Sequence, residues 1–117
     1  MCRIVEKEMA EIYNTLLRLG ITAKYRGFFY ASYAISIAAK QPERLLMVTK
    51  WLYPDVAKRF DTTWICVERN IRTVADVAWK TNRPYLEEMA HIPLTKKPTS
   101  TEFLGILVSY ISSNAAA

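Results

Sequence analysis

Apolar side chains recur at intervals of three and four along almost the whole chain, and only three glycines and five prolines interrupt them in 117 residues. That spacing is the period of one helix face, whereas a half-buried strand alternates every second residue. The chain is therefore expected to fold as an all-α domain, a compact bundle of about six helices. Residues 1–114 are read as one domain, because this length sits at the modal domain size and below the size at which cores divide. Ala115 to Ala117 are set apart as a tail of vector origin. With 51% hydrophobic and 23% charged residues, the composition excludes a disordered or low-complexity polymer.

Turn residues mark the helix ends. Val5, Met9, Ile12, Leu16 and Leu19 make one stripe over about Ile4 to Leu19, with Gly20 placed as a C-terminal glycine stop. A second helix from about Gly27 carries Phe28, Ala31, Ala34, Ile35 and Ala38 and stops before Gln41-Pro42. Pro42 suits the first turn of a third helix, whose apolar face would be Leu45, Leu46, Val48, Trp51 and Leu52. Pro54 interrupts it, and Pro54 to Phe60 is either a fresh short helix or its kinked continuation. The longest helix is expected over about Thr63 to Trp79, then a short one over Tyr85 to Met89 and a polar loop from Leu94 to Ser100. Thr99 and Glu102 have capping-box spacing ahead of the apolar run Phe103 to Ile111. Trp51, Trp64 and Trp79, with Tyr25, Phe28, Phe29 and Tyr30, are expected to pack between helices.

Several function classes drop out. No apolar run reaches the roughly 18 residues needed to span a bilayer. Cys2 and Cys66 make no disulfide framework, and no Cys or His cluster has zinc-ligand spacing. His91, the only histidine, has no nucleophile or carboxylate placed beside it, and no glycine-rich phosphate loop exists. No catalytic residue, metal or cofactor is expected. Sixteen Lys and Arg against eleven Asp and Glu give a net charge of +5, which favours a polyanionic partner.

The stretch from Tyr53 to Trp79 has the grammar of a helix-turn-helix: a short helix with Ala57 inward, a tight polar turn, then a longer amphipathic helix. At 100° per residue Trp64, Val67, Ile71, Val74, Ala75 and Ala78 fall in one arc, and Ile65, Arg69, Arg72 and Asp76 lie opposite. Glu68 flanks the outer face on one side, Cys66 and Asn70 on the other. Arg can take guanine O6 and N7 together and Glu can accept from cytosine N4, so these residue types suit major-groove reading. Glu68 and Arg72 at i and i+4 also fit an ordinary surface ion pair.

LYPDVAKRFDTT (Leu52 to Thr63), VERNIR (Val67 to Arg72) and VADVAW (Val74 to Trp79) resemble the helix-turn-helix of the C-terminal DNA-binding domain of the stage-zero sporulation response regulator. ITAKYRGFFYASYAIS (Ile21 to Ser36) and KPTSTEF (Lys97 to Phe103) resemble its flanking segments. The resemblance implies a six-helix effector domain of the bacterial cytoplasm, acting at the nucleoid. It would bind double-stranded DNA, with a homodimer on tandem sites and RNA polymerase as further partners. It implies base reading by Glu68, Arg69 and Arg72, and phosphate contacts by Lys58, Arg59 and Lys97, with Ile65, Cys66 and Asn70 flanking the recognition face. A typical member has Ser-Arg where this chain has Ile65-Cys66, and Ala where it has Asn70. The segment between Trp79 and Lys97 is also shorter than in the family, and no receiver domain is evident. A helical module that titrates a protein partner such as a full-length regulator is the alternative, favoured by Ile65, an exposed β-branched apolar residue on the reading side of the helix that can also pack on a thymine methyl.

Overall fold

The structure, a computed structural model, describes the backbone of residues 3–116 and the side chains of residues 8–113. Cys2, Ala117 and the side chain of Val5 lie outside the described residues. Among those described there are six α-helices and no strand: α1 Arg3–Arg18, α2 Arg26–Lys40, α3 Val48–Trp51, α4 Tyr53–Arg59, α5 Trp64–Ala90 and α6 Ser100–Ala116. A 3-10 helix, Pro42–Met47, joins α2 to α3.

The helix ends follow the sequence signals closely. Gly20 takes φ 87° after α1, its N–H bonding Leu17 O and that of Ile21 bonding Leu16 O, both at 3.0 Å. That is the glycine stop the spacing predicts. Thr99 and Glu102 form the reciprocal capping box: the Thr99 N–H reaches Glu102 Oε1 at 2.8 Å, and the Glu102 N–H reaches Thr99 Oγ1 at 3.1 Å. The Thr99 backbone N–H holds the Glu102 carboxyl below its usual pKa. The break expected between Trp79 and Tyr85 appears as a kink in α5, with Asn82 at φ −149°, ψ 59° and Pro84 two residues on. Asn82 Nδ2 donates to Arg18 O at 2.9 Å, and its Oδ1 accepts the Tyr85 N–H at 3.4 Å. One side chain therefore closes the end of α1 and starts the second part of α5. His91 ends α5 in the left-handed region at φ 63° and is exposed.

Helix α2 runs through the centre, packed against α5, α6 and α1. Its buried face carries Gly27, Ala31, Ala34 and Ala38, and such small residues let helix backbones approach. Gly27 is the tightest point. A methyl group there would fall inside contact distance of the Asn70 carbonyl oxygen and 2.7 Å from Val74 Cγ1. Ile12, Leu16, Ile35, Ile71, Val74, Leu86, Phe103 and Leu104 fill the space between the helices.

Two expectations fail. Pro42 opens a 3-10 helix, whose three-residue turn does not keep an α-helical stripe on one side. Leu46 is consequently 78% exposed and Trp51 41% exposed, while Leu45 and Val48 are half-buried and Leu52 is fully buried. Trp64 lies on the inner arc of the wheel but is 42% exposed. A wheel gives direction around the axis and not depth along it, and Trp64 is the first residue of α5, at the helix end. Phe29 is exposed as well, whereas Phe28 and Tyr30 are buried.

Gly27→Ala is expected to lower stability by about 1–3 kcal/mol through overpacking against the α5 backbone. Thermal denaturation followed by circular dichroism measures it. An unchanged Tm would mean that the crossing of α2 and α5 is looser than described.

Candidate nucleic-acid interface

The junction between α4 and α5 is a four-residue turn with both ends capped. Asp61 sits in the left-handed region at φ 53°, which Asp tolerates better than most residues. Its N–H bonds Lys58 O at 3.4 Å and the Thr62 N–H bonds Ala57 O at 2.9 Å, the pairing of a Schellman motif. Thr63 then starts α5, its Oγ1 accepting the Cys66 N–H at 3.2 Å. Phe60, inside the turn, is seated on α2 with ring centroids 5.2 Å from Tyr30 and 5.9 Å from Tyr33. These contacts fix the direction in which α5 leaves the turn.

Val67, Ile71, Val74, Ala75 and Ala78 are fully buried, so the opposite side of α5 is its free surface. Ile65 is 52% exposed, and Arg69 and Arg72 are exposed. Cys66 and Asn70 form the flank toward α2. Both are half-buried, and Asn70 Nδ2 turns back to Cys66 O at 2.8 Å and Cys66 Sγ at 3.4 Å. The two positions at which the chain departs from its resemblance on this flank are thus in contact.

The other flank meets α6. Glu68 and Arg72 form a two-pronged ion pair: Arg72 Nε donates to Glu68 Oε2 at 3.1 Å and Nη2 donates to Oε1. The Glu68 side chain is 23% exposed and that of Arg72 58%. Ser100 Oγ, at the start of α6, lies 3.3 Å from Glu68 Oε2, and the buried Tyr53 hydroxyl of α4 lies 3.1 Å from Ser100 Oγ. Tyr53 and Ser100 were not among the candidate site residues. Their signal was faint: a tyrosine opening the motif, and a serine inside a capping box that does not need it.

The lysine and arginine candidates for phosphate contact lie at the end of α4 and in the loop before α6. Lys58 and Arg59 are exposed at the end of α4. The Arg59 guanidinium lies 5.9 Å from the Tyr33 ring centroid and 5.5 Å from that of Phe60. Lys97, in the loop before α6, pairs with Asp76 of α5 at 2.9 Å, and Asp76 also pairs with Lys80 at 3.3 Å. The structure therefore brings Lys97 beside α5, although 21 residues separate Lys97 from Asp76 in the sequence.

Residues 12–111 match the family described as sporulation initiation factor Spo0A C terminal. The match takes in the end of α1, all of α2 to α5, and α6 as far as Ile111.

Lys97 and Lys80 hold the Asp76 carboxyl below its ordinary pKa of about 3.8, the Lys97 bond contributing most. A lowered native pKa contributes stability above the unfolded value and loses it as pH falls through the native one. Asp76→Asn is therefore expected to melt slightly below the parent at pH 7, and the gap should close once the pH is well below the carboxylate range. Melting curves at both pH values check this. A gap of equal size in acid would mean that the carboxylate charge does not hold the loop to α5.

Proposed function

This chain belongs to the family of sporulation initiation factor Spo0A C-terminal domains, and from that premise we propose that it reads a specific double-stranded DNA sequence by laying the outer face of α5 in the major groove. The family is the DNA-binding domain of a transcription regulator of sporulation. The observation that carries the finer reading is the pair of exposed arginines, Arg69 and Arg72, on the free side of a helix whose opposite side is sealed in the core and whose start is capped at both ends of a short turn. In this reading α4 and α5 are a helix-turn-helix, α4 lying over the backbone and α5 presenting its N-terminal half to base edges.

Arg69 and Arg72 are the base readers, with Glu68 beside them. Arg is suited to guanine, where one guanidinium can take O6 and N7 together. Lys58 and Arg59 on α4, and Lys97 in the loop, would meet phosphates on either side of the groove, positioning the protein without reading sequence. Ile65 would face the bases as an apolar contact. No helix of the described residues is long and apolar enough to cross a membrane, and the proposed place of action is the cytoplasm, at the nucleoid. On the strength of the family, a second copy on a tandem site and RNA polymerase belong to the same proposal.

The exposed Ile65 also favours a second reading, in which the face binds a protein partner and DNA affinity has been lost. A binding titration against random duplex, and against duplex enriched from a randomised pool, separates the two. Binding to the enriched duplex should fall steeply with salt concentration. Arg69→Ala and Arg72→Ala should each weaken it by about 1–3 kcal/mol while leaving the fold intact. Neutralising Lys58, Arg59 or Lys97 should instead weaken binding to every duplex and reduce the salt slope by about one unit. Absence of duplex binding at low salt would favour the protein-partner reading.

A further inference from the structure

We infer that Ser100, backed by Tyr53, is a positioning residue for DNA reading: it fixes the Glu68 carboxylate, and that carboxylate aims the Arg72 guanidinium. The inference rests on the reading of α5 as the recognition helix and assigns Glu68 a holding role within it.

Three helices contribute to one chain of hydrogen bonds. The Tyr53 ring of α4 is fully buried, so its hydroxyl must find a partner inside the fold. That partner is Ser100 Oγ at 3.1 Å. Burial pushes the Tyr53 phenol above its ordinary pKa, so it stays protonated and donates. Ser100, itself buried, then directs its own hydroxyl proton to Glu68 Oε2 at 3.3 Å. The capping box at the start of α6 is made by Thr99 and Glu102, which leaves the Ser100 hydroxyl available for α5.

The Glu68 carboxylate is then occupied on both oxygens. Oε2 accepts from Ser100 and from Arg72 Nε, and Oε1 accepts from Arg72 Nη2. A carboxylate committed in this way is a support. Arg72 keeps three of its five N–H donors, two on Nη1 and one on Nη2, on the edges turned away from Glu68. A long arginine on an open helix face would otherwise have to be ordered on binding, which costs affinity. Here its direction is set beforehand from the core, and hydrogen bonds in series reinforce one another.

The test uses a duplex enriched from a randomised pool by the parent protein, its variant at the base pair that Arg72→Ala no longer distinguishes, and a random duplex. Ser100→Ala should weaken binding to the enriched duplex by about five- to tenfold, since a hydrogen bond to the charged Glu68 carboxylate is at stake, and Tyr53→Phe by about two- to fivefold, since it removes only the neutral bond that orients Ser100. Discrimination at that base pair should shrink, while random-duplex affinity and salt slope stay unchanged. On an Arg72→Ala background the same changes should cost nothing further, and Ser100→Thr, which keeps the hydroxyl, should behave like the parent. Tyr53→Phe preserves the buried ring and carries the test if Ser100→Ala fails to fold. Unchanged discrimination in both variants, or an equal loss on the random duplex or on the Arg72→Ala background, overturns the positioning role alone. A parent that enriches no sequence overturns the DNA reading and this role together.

Discussion

The backbone of α5 meets α2 at Gly27, where the Asn70 carbonyl oxygen and the Val74 side chain leave no room for a methyl group. The arrangement of the site depends on that approach. It brings one side of α5 into the core, so that Val67, Ile71 and Val74 vanish from the surface and Arg69 and Arg72 remain outside. It also sets which flank faces which neighbour: Cys66 and Asn70 toward α2, Glu68 and Asp76 toward α6 and the loop before it.

Three of the cations around α5 are balanced by carboxylates within the fold. Arg72 is paired with Glu68, and Lys97 and Lys80 share Asp76. Such pairs on an open surface add little stability in high dielectric. Their value is geometric: each holds a long, flexible side chain in one place. In the DNA reading, a phosphate must compete with Asp76 for Lys97, whereas the outer edges of Arg72 stay open while Glu68 holds the inner one. The net charge of +5 then supplies attraction to any duplex, and the held arginine supplies the preference among duplexes.

The helix order, the glycine stop at Gly20, the capping box at Thr99 and the break near Asn82 were all legible in the sequence, because each depends on neighbours within a few residues. The exposed arginines on α5 were legible for the same reason, since a helical period fixes which side chains share a face. What failed was what depends on distant partners. The 3-10 form of Pro42–Met47 left Leu46 and Trp51 outside, a choice between two helical periods that the apolar spacing did not settle. The exposure of Trp64 depends on how far α5 extends past its neighbours. The pairing of Lys97 with Asp76, and the placing of Ser100 over Glu68, join segments 21 and 32 residues apart; no local pattern encodes them.

The central claim is that the outer face of α5, held in place by α2 and α6, is the surface that meets duplex DNA. Backbone amide shifts of the isotope-labelled protein, followed by NMR as enriched duplex is added, test it most directly. The account predicts that the largest changes fall on residues 65–72, with smaller ones at Lys58, Arg59 and Lys97 and none at the far end of α5 around Met89. Changes centred instead on the groove between Met89, Ile92 and Ile106, with residues 65–72 unmoved, would contradict it.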